Sequence, residues 1–274
     1  MKITRSSGAL GAEVSDIDLA ADLSPATVAE LRRHWLEHLV LFFHDQHLPP
    51  DRLHAFARAF GEPMDYPFLK GLDGYPQITI VAKLEHETVN FGGIWHSDTT
   101  YLPAPPSATM LLAREVPPQG GDTLFANQYL AYETLPPDIK RRLEGLKGVS
   151  TSAKADTTRS REDRVRDNGK SGIADEYHAA HPAVRVHPET GRKSLYVNPA
   201  HTARFDGMTE EESAPLLAEL FAHQVKPEVQ CRFAWRKGSM ALWDNRCTLH
   251  NPVNDYPGYR RVMHRITLKG DIPC

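Results

Sequence analysis
From residue 108 onward, short runs of strand-forming residues are cut apart by turns rich in proline and glycine, and no βαβ repetition organises them. Residues 108–113 lead into Pro117-Pro118-Gln119-Gly120-Gly121, and 123–125 resume the β pattern. Residues 183–186 and 194–197 flank Pro188-Glu189-Thr190-Gly191, the signature of a hairpin. The stretches 231–235, 239–243 and 261–268 continue the series. Short strands cannot bury an apolar face alone, and without crossover helices the sheets must cover each other. The pattern predicts a single mainly β domain, an antiparallel sandwich or barrel with helices packed outside.

The helices are marked by how they begin. Ser24 is suited to cap a helix with Pro25 at its first position, and Val28, Leu31 and Trp35 recur at helical spacing. Pro49-Pro50-Asp51 opens a second helix, with Leu53, Phe56, Ala57 and Phe60 on one face and Gly61 as its stop. A further helix is expected over 130–146. Thr209 and Glu212 make a capping box ahead of Leu216, Leu217, Leu220 and Phe221. Residues 8–14 read as a strand entering a turn and 78–81 as another strand. Leu39-Val40-Leu41-Phe42-Phe43 is a continuous apolar run, suited to a strand buried on both faces. The stretch 152–179 is dense in charge and poor in apolar residues, and reads as a solvated loop or a mobile lid.

A chain of 274 residues is long enough for a sizeable core. Its hydrophobic content of 41% and charged content of 24% are those of an ordinary globular protein. The net charge of −3 comes without a basic tract, which argues against nucleic acid as a partner. No apolar run is long enough for a membrane span, and none follows Met1-Lys2-Ile3-Thr4-Arg5-Ser6 as a signal peptide would require. Cys231, Cys247 and Cys274 are odd in number and widely separated. They make neither a disulfide framework nor a CxxC zinc site, so a reducing, cytoplasmic setting is expected. A homo-oligomer, dimer or tetramer, is the default for such an enzyme-sized chain.

Chemistry concentrates in two places. The first is His96-Ser97-Asp98. On an extended strand His96 and Asp98 point the same way, about 6.6 Å apart along the strand, and Ser97 points away. A chelating pair needs one more ligand from a distant segment, and His250 can supply it. Two imidazoles and one carboxylate hold ferrous iron while leaving coordination positions open. The same donors suit catalytic zinc, so a zinc hydrolase is an alternative, although no HExxH helix is present. His47, His54, His201 and His223 read as solvated or core-satisfied imidazoles.

The second place is Arg260-Arg261-Val262-Met263-His264-Arg265. As a strand it puts Arg261, Met263 and Arg265 on one face. Arginines inside a barrel are costly unless each meets an anion, and the guanidinium fork matches a carboxylate or a sulfonate. A barrel that merely captures an anion, without metal, is a further alternative.

Several ordered blocks carry a resemblance: Gly8-Ala9-Leu10-Gly11-Ala12, Phe42-Phe43-His44-Asp45-Gln46, Phe60-Gly61-Glu62, Trp95-His96-Ser97-Asp98, Gly120-Gly121-Asp122-Thr123, His187-Pro188 and Trp243-Asp244-Asn245-Arg246. Nearly end to end, the chain resembles the iron(II)- and 2-oxoglutarate-dependent dioxygenases of the taurine and phenoxyacetate class, the TauD/TfdA family. The resemblance implies a double-stranded β-helix (jelly-roll, cupin-like) core, with Fe(II) as metal and 2-oxoglutarate and O2 as co-substrates. By it, His96, Asp98 and His250 are the iron ligands. Thr123 hydrogen-bonds the distal carboxylate of 2-oxoglutarate, Arg261 forms its salt bridge, and Trp243 lines that pocket. Arg265 falls where sulfonate-oxidising relatives hold the substrate anion. Tyr66 falls where the taurine enzymes place a histidine contact, and Thr99 is a further pocket residue. Gly92 and Gly93 stand where those relatives carry larger polar residues, which implies a roomier pocket than taurine needs. The implied substrate is a small organic anion such as a sulfonate, an alkyl sulfate or an aryloxyalkanoate. Hydroxylation would release succinate and CO2, with C–S or C–O cleavage where the new hydroxyl shares a carbon with the heteroatom.

Overall fold
The computed structural model describes residues 1–90, 92–154 and 177–274. Most of the stretch 152–179, the candidate lid, lies outside the described residues. The largest sheet runs in the order Lys2–Arg5, Ala12–Ser15, Val40–Phe43, Met240–Asp244, Ala108–Glu115, Arg261–Leu268, Tyr75–Lys83 and Gly71–Leu72. Pro63–Met64 adds to it by pairing with the end of Arg261–Leu268. A smaller sheet sets Thr123–Asn127 between Gln230–Phe233 and Thr248–Pro252.

The pairing is antiparallel with one exception among the described residues. Ala12–Ser15 runs parallel to Val40–Phe43, and the helix Pro25–His38 connects the two. A parallel neighbour needs such a crossover, whereas a hairpin joins only antiparallel strands.

The Val40–Phe43 strand is buried along its whole length, as its apolar run predicts. Leu41 and Phe43 pack outward with Leu31, Trp35, Leu53 and Phe56 of the helices Pro25–His38 and Pro50–Phe60. Val40 and Phe42 point inward, to a second core with Phe125, Phe233, Trp235 and Trp243. The large sheet thus lies between a layer of helices and the small sheet. Two sheets closed on an aromatic interior make the double-stranded β-helix core, and the ends of their strands carry the site.

Local signals hold in most places. Ser24 accepts from Thr27 N at the start of the first helix. The capping box of Thr209 and Glu212 opens the helix Glu210–His223. Val184–Val186 pairs with Lys193–Leu195 as the expected hairpin. The helix expected over 130–146 is instead two, Gln128–Glu133 and Pro137–Leu143. Pro136 and Pro137 have no backbone N–H to continue a helix, and Pro136 disfavours helical geometry at Leu135 before it.

Candidate active site
His96 and His250 are joined by the backbone. The N–H of His96 donates to His250 O at 3.0 Å, and the N–H of His250 donates to His96 O at 2.8 Å. This is an isolated bridge and not the strand expected over 96–98, because the chain turns at Asp98. Thr99 takes a φ of 43° in that turn. A left-handed conformation is costly for a β-branched residue and marks a constrained site. Even so, His96 and Asp98 face the same way. Asp98 Oδ1 lies 3.8 Å from His96 Nε2 and 4.0 Å from His250 Nε2. Ser97 turns away and donates its hydroxyl to Asn245 O at 2.7 Å.

The donor atoms are prepared for a cation. His96 Nδ1 lies 2.7 Å from the Ile94 carbonyl, which can only accept. The ring proton therefore sits on Nδ1 and leaves the Nε2 lone pair turned toward Asp98. Burial lowers the basicity of both imidazoles, that of His250 most strongly, with His96 adding to the effect there. Burial alone would raise the Asp98 carboxyl. Arg265, His250, His96 and a hydrogen bond from Thr109 outweigh it and hold the group well below the usual carboxylate range. Two neutral imidazoles and an ionised carboxylate, all buried, are a donor set suited to ferrous iron. Another buried group, His187, Asp244 and Cys247, is committed internally: Asp244 Oδ2 meets His187 Nε2 at 3.0 Å and Arg246 Nη2 at 2.7 Å.

Two cavities meet at this cluster. The inner one, about 50 Å³, is lined by Val81, Leu111, Thr123, Trp243, Pro252 and Arg261 beside the two histidines and Asp98. Arg261 is buried, and its Nε and Nη2 have no hydrogen-bond partner. Burial lowers its basicity, and the opposing influence of Tyr256 and Asp122 does not make up for it. Trp235 Nε1 donates to Thr123 Oγ1 at 2.9 Å, which leaves the threonine proton free for another acceptor. An unpaired guanidinium edge beside a free hydroxyl proton fits a carboxylate, and so fits the distal end of 2-oxoglutarate.

The outer cavity is larger, about 140 Å³, and Tyr66, Val89, Ile94, Thr99, Tyr101 and His201 are among its walls. Arg265 lines both cavities. Its Nη2 stands 2.8 Å from Asp98 Oδ1, an ion pair without hydrogen-bond alignment, and its guanidinium carbon lies 4.8 Å from the Tyr66 ring centre. Arg261 and Arg265 thus share the inward face of one strand, as alternation predicts. A Cβ on Gly92 would come within 2.8 Å of His96 Cε1, and Gly92 has a φ of 68°. Glycine suits that position because its φ is left-handed and a side chain would press on the His96 ring.

Each candidate site residue named from the sequence, His96, Asp98, His250, Thr123, Trp243, Arg261, Arg265, Tyr66 and Thr99, lines one or both of these cavities. Others were missed. His201, read as a solvated or core imidazole, is buried in the outer cavity and bonded to Thr100 Oγ1 at 3.0 Å. Burial and then His96 push its pKa down to about 3. Tyr101, Trp235 and Thr109 carried no motif at all. Asn245 lay inside a recognised block without a role.

Comparison with known proteins agrees with this geometry. The family model for the taurine catabolism dioxygenase TauD, TfdA family matches residues 2–267. An alkylsulfatase from Acinetobacter baylyi is 34% identical over 279 residues, covering 99% of this chain and 86% of that protein. An (S)-phenoxypropionate/alpha-ketoglutarate-dioxygenase from Sphingobium herbicidovorans is 32% identical, covering 95% of this chain and 92% of its own. The crystal structure of a taurine dioxygenase from Burkholderia xenovorans superposes with a TM-score of 0.84 at 35% identity, over 99% of this chain and 92% of that one. The chain belongs to the TauD/TfdA family of dioxygenases.

Proposed function
We propose that this protein is an iron(II)- and 2-oxoglutarate-dependent dioxygenase that hydroxylates a small anionic organic substrate, one catalytic domain spanning residues 1–274. His96, Asp98 and His250 hold the iron, and Arg261 with Thr123 and Trp243 seats 2-oxoglutarate. The observation that carries the reading is the buried Arg261 edge, unpartnered, in the same cavity as the three donor side chains. With iron, 2-oxoglutarate and O2 bound, the site supplies oxidative decarboxylation to succinate and CO2 together with transfer of an oxygen atom to a C–H bond.

The chain's own residues do the rest. Arg261 compensates the distal carboxylate from a buried position. Thr123 donates its proton to the same group. Arg265 offers its guanidinium to the substrate anion from the floor of the outer cavity, with Tyr66 against its face and Thr99 in the wall. Val89 and Ile94 give the rim an apolar surface for the body of the substrate. The relatives named for sulfate esters and for phenoxypropionate support an organic anion with such a body. Three free cysteines fit a cytoplasmic setting, and among the described residues no helix is long and apolar enough to cross a membrane. A dimer or tetramer is expected, to be read by light scattering.

The test is succinate formation from 2-oxoglutarate with Fe(II) and ascorbate in air, across sulfonates, alkyl sulfates, aryloxyalkanoates and amino acids. Stimulation by one class of organic anion is the expected result. No succinate with any of them, alongside tight zinc, would mean a hydrolase. Anion binding with no metal requirement would mean a binding barrel.

A further inference from the structure
We propose that Trp243, Asn245 and Thr109 form a one-way hydrogen-bond relay that presents Asp98 to the metal through Oδ1 alone. The inference rests on the reading of Asp98 as an iron ligand. All four side chains are buried. Trp243 Nε1 donates to Asn245 Oδ1 at 2.9 Å. Asn245 Nδ2 donates to Thr109 Oγ1 at 2.8 Å, and Thr109 Oγ1 donates to Asp98 Oδ2 at 2.6 Å.

Chemistry at the Trp243 end dictates the direction. An indole nitrogen can only donate, so the Asn245 amide must turn its oxygen toward Trp243 and its nitrogen toward Thr109. That removes the freedom to flip that an isolated amide has. Thr109 then receives a proton from the amide, and its single hydroxyl proton is left for the carboxylate. Oδ2 is thereby engaged by a hydrogen bond that the metal would have to compete with. Oδ1 is the oxygen that faces His96 Nε2 at 3.8 Å and His250 Nε2 at 4.0 Å, with Arg265 Nη2 beside it at 2.8 Å in an ion pair without hydrogen-bond alignment.

The placement is built into the sheet. Trp243 and Thr109 are register partners on neighbouring strands, Met240–Asp244 and Ala108–Glu115. The Asn245 backbone is clamped on both sides, its N–H donating to Ser107 O at 2.9 Å and its carbonyl accepting from Ser97 Oγ at 2.7 Å. Outer hydrogen bonds of this kind fix the orientation of a ligand, and their loss weakens metal binding roughly 10- to 100-fold. The competing explanation is that the three residues merely satisfy one another inside the core. On that account, losing the Thr109 hydroxyl lowers thermal stability and leaves metal affinity alone.

The experiment titrates the metal-free full-length protein with Co(II) under nitrogen, following the visible absorption of the bound ion, and records the Tm of each metal-free variant. Thr109→Val is expected to weaken Co(II) binding roughly 10- to 100-fold, and Thr109→Ser to restore it. Asn245→Leu is expected to act in the same way, with the double variant little worse than either single one, because the relay works as one unit. Unchanged Co(II) affinity in a folded Thr109→Val or Asn245→Leu variant overturns the relay. Asp98→Ala is the reference: if it too keeps full affinity, the assignment of Asp98 as ligand has failed, whereas its loss with Thr109→Val unaffected sinks the relay alone.

Discussion

The inner and outer cavities share His96, Asp98 and Arg265, yet they are built from different parts of the chain. Thr123, Trp243, His250 and Arg261 stand on strands, each held in register by neighbours on one or both sides. Tyr66, Val89, Ile94, Thr99, Tyr101 and His201 all stand on connections between strands. The charge arrangement differs as well. Arg261 has an edge with no partner, whereas Arg265 is engaged with Asp98. A rigid ladder can hold a co-substrate shared by every turnover, while connections can vary in length and composition without disturbing the barrel. On the proposed function, the difference separates chemistry, on the inside, from selectivity, on the outside.

That separation can be broken experimentally, and the severest break is at the shared cluster. Asp98→Ala or His250→Ala is expected to abolish succinate formation with every substrate; full activity in either would remove the triad. Next comes the inner cavity. Arg261→Ala takes away the counter-charge of a buried anion, a loss of roughly 2–5 kcal/mol, which is about 30-fold or more in the KM for 2-oxoglutarate. The KM for the organic substrate should hardly move, and an equal rise in both constants would show that the two cavities are not independent. Arg265→Gln should do the reverse. Substrate KM rises at least about tenfold, as for a lost charge-assisted hydrogen bond, and more than the KM for 2-oxoglutarate.

Smaller effects sharpen the outer wall. Val89 and Ile94 are 55% and 49% exposed, so truncation to alanine removes only part of a side chain's burial. Each is expected to cost about 1 kcal/mol or less in substrate binding, reordering a substrate panel without touching 2-oxoglutarate. The smallest effect lies outside both cavities. Burial and Arg114 push His264 down to about 4, so it stays neutral in the fold while the unfolded chain takes a proton near its ordinary value. Its share of stability is present above pH ~6.5 and is lost as pH falls toward ~4. His264→Gln should flatten that part of the Tm–pH curve, and an unaltered curve would place the acid sensitivity elsewhere.

How far the sequence alone carries differs between the two cavities. Part of the inner cavity was readable because its signals are local, a His-x-Asp spacing and two arginines four residues apart on one strand face, whereas Thr123 and Trp243 came only through the family resemblance. The outer residues are legible only in part. Gly92 and Gly93 stood out as small residues, but nothing in the sequence says that Gly92 lies over the His96 ring. His201 looked like any other imidazole, because burial depends on what the rest of the chain brings to it. Pro136-Pro137 is a local signal inside the stretch read as one helix, and the break between the two short helices follows from it.

By itself the sequence determined the β-rich architecture, three of the helix starts, the hairpin, the His96–Asp98 pair on one side of the chain and the inward arginines. Each of these depends on residues close together in the chain or on a period of two or 3.6. Tertiary structure alone decided that Trp243, Asn245 and Thr109 reach Asp98, that Trp235 frees the Thr123 proton, and that Arg265 borders both cavities. Those contacts join strands far apart in sequence, and closure of one sheet upon the other sets which side chains meet.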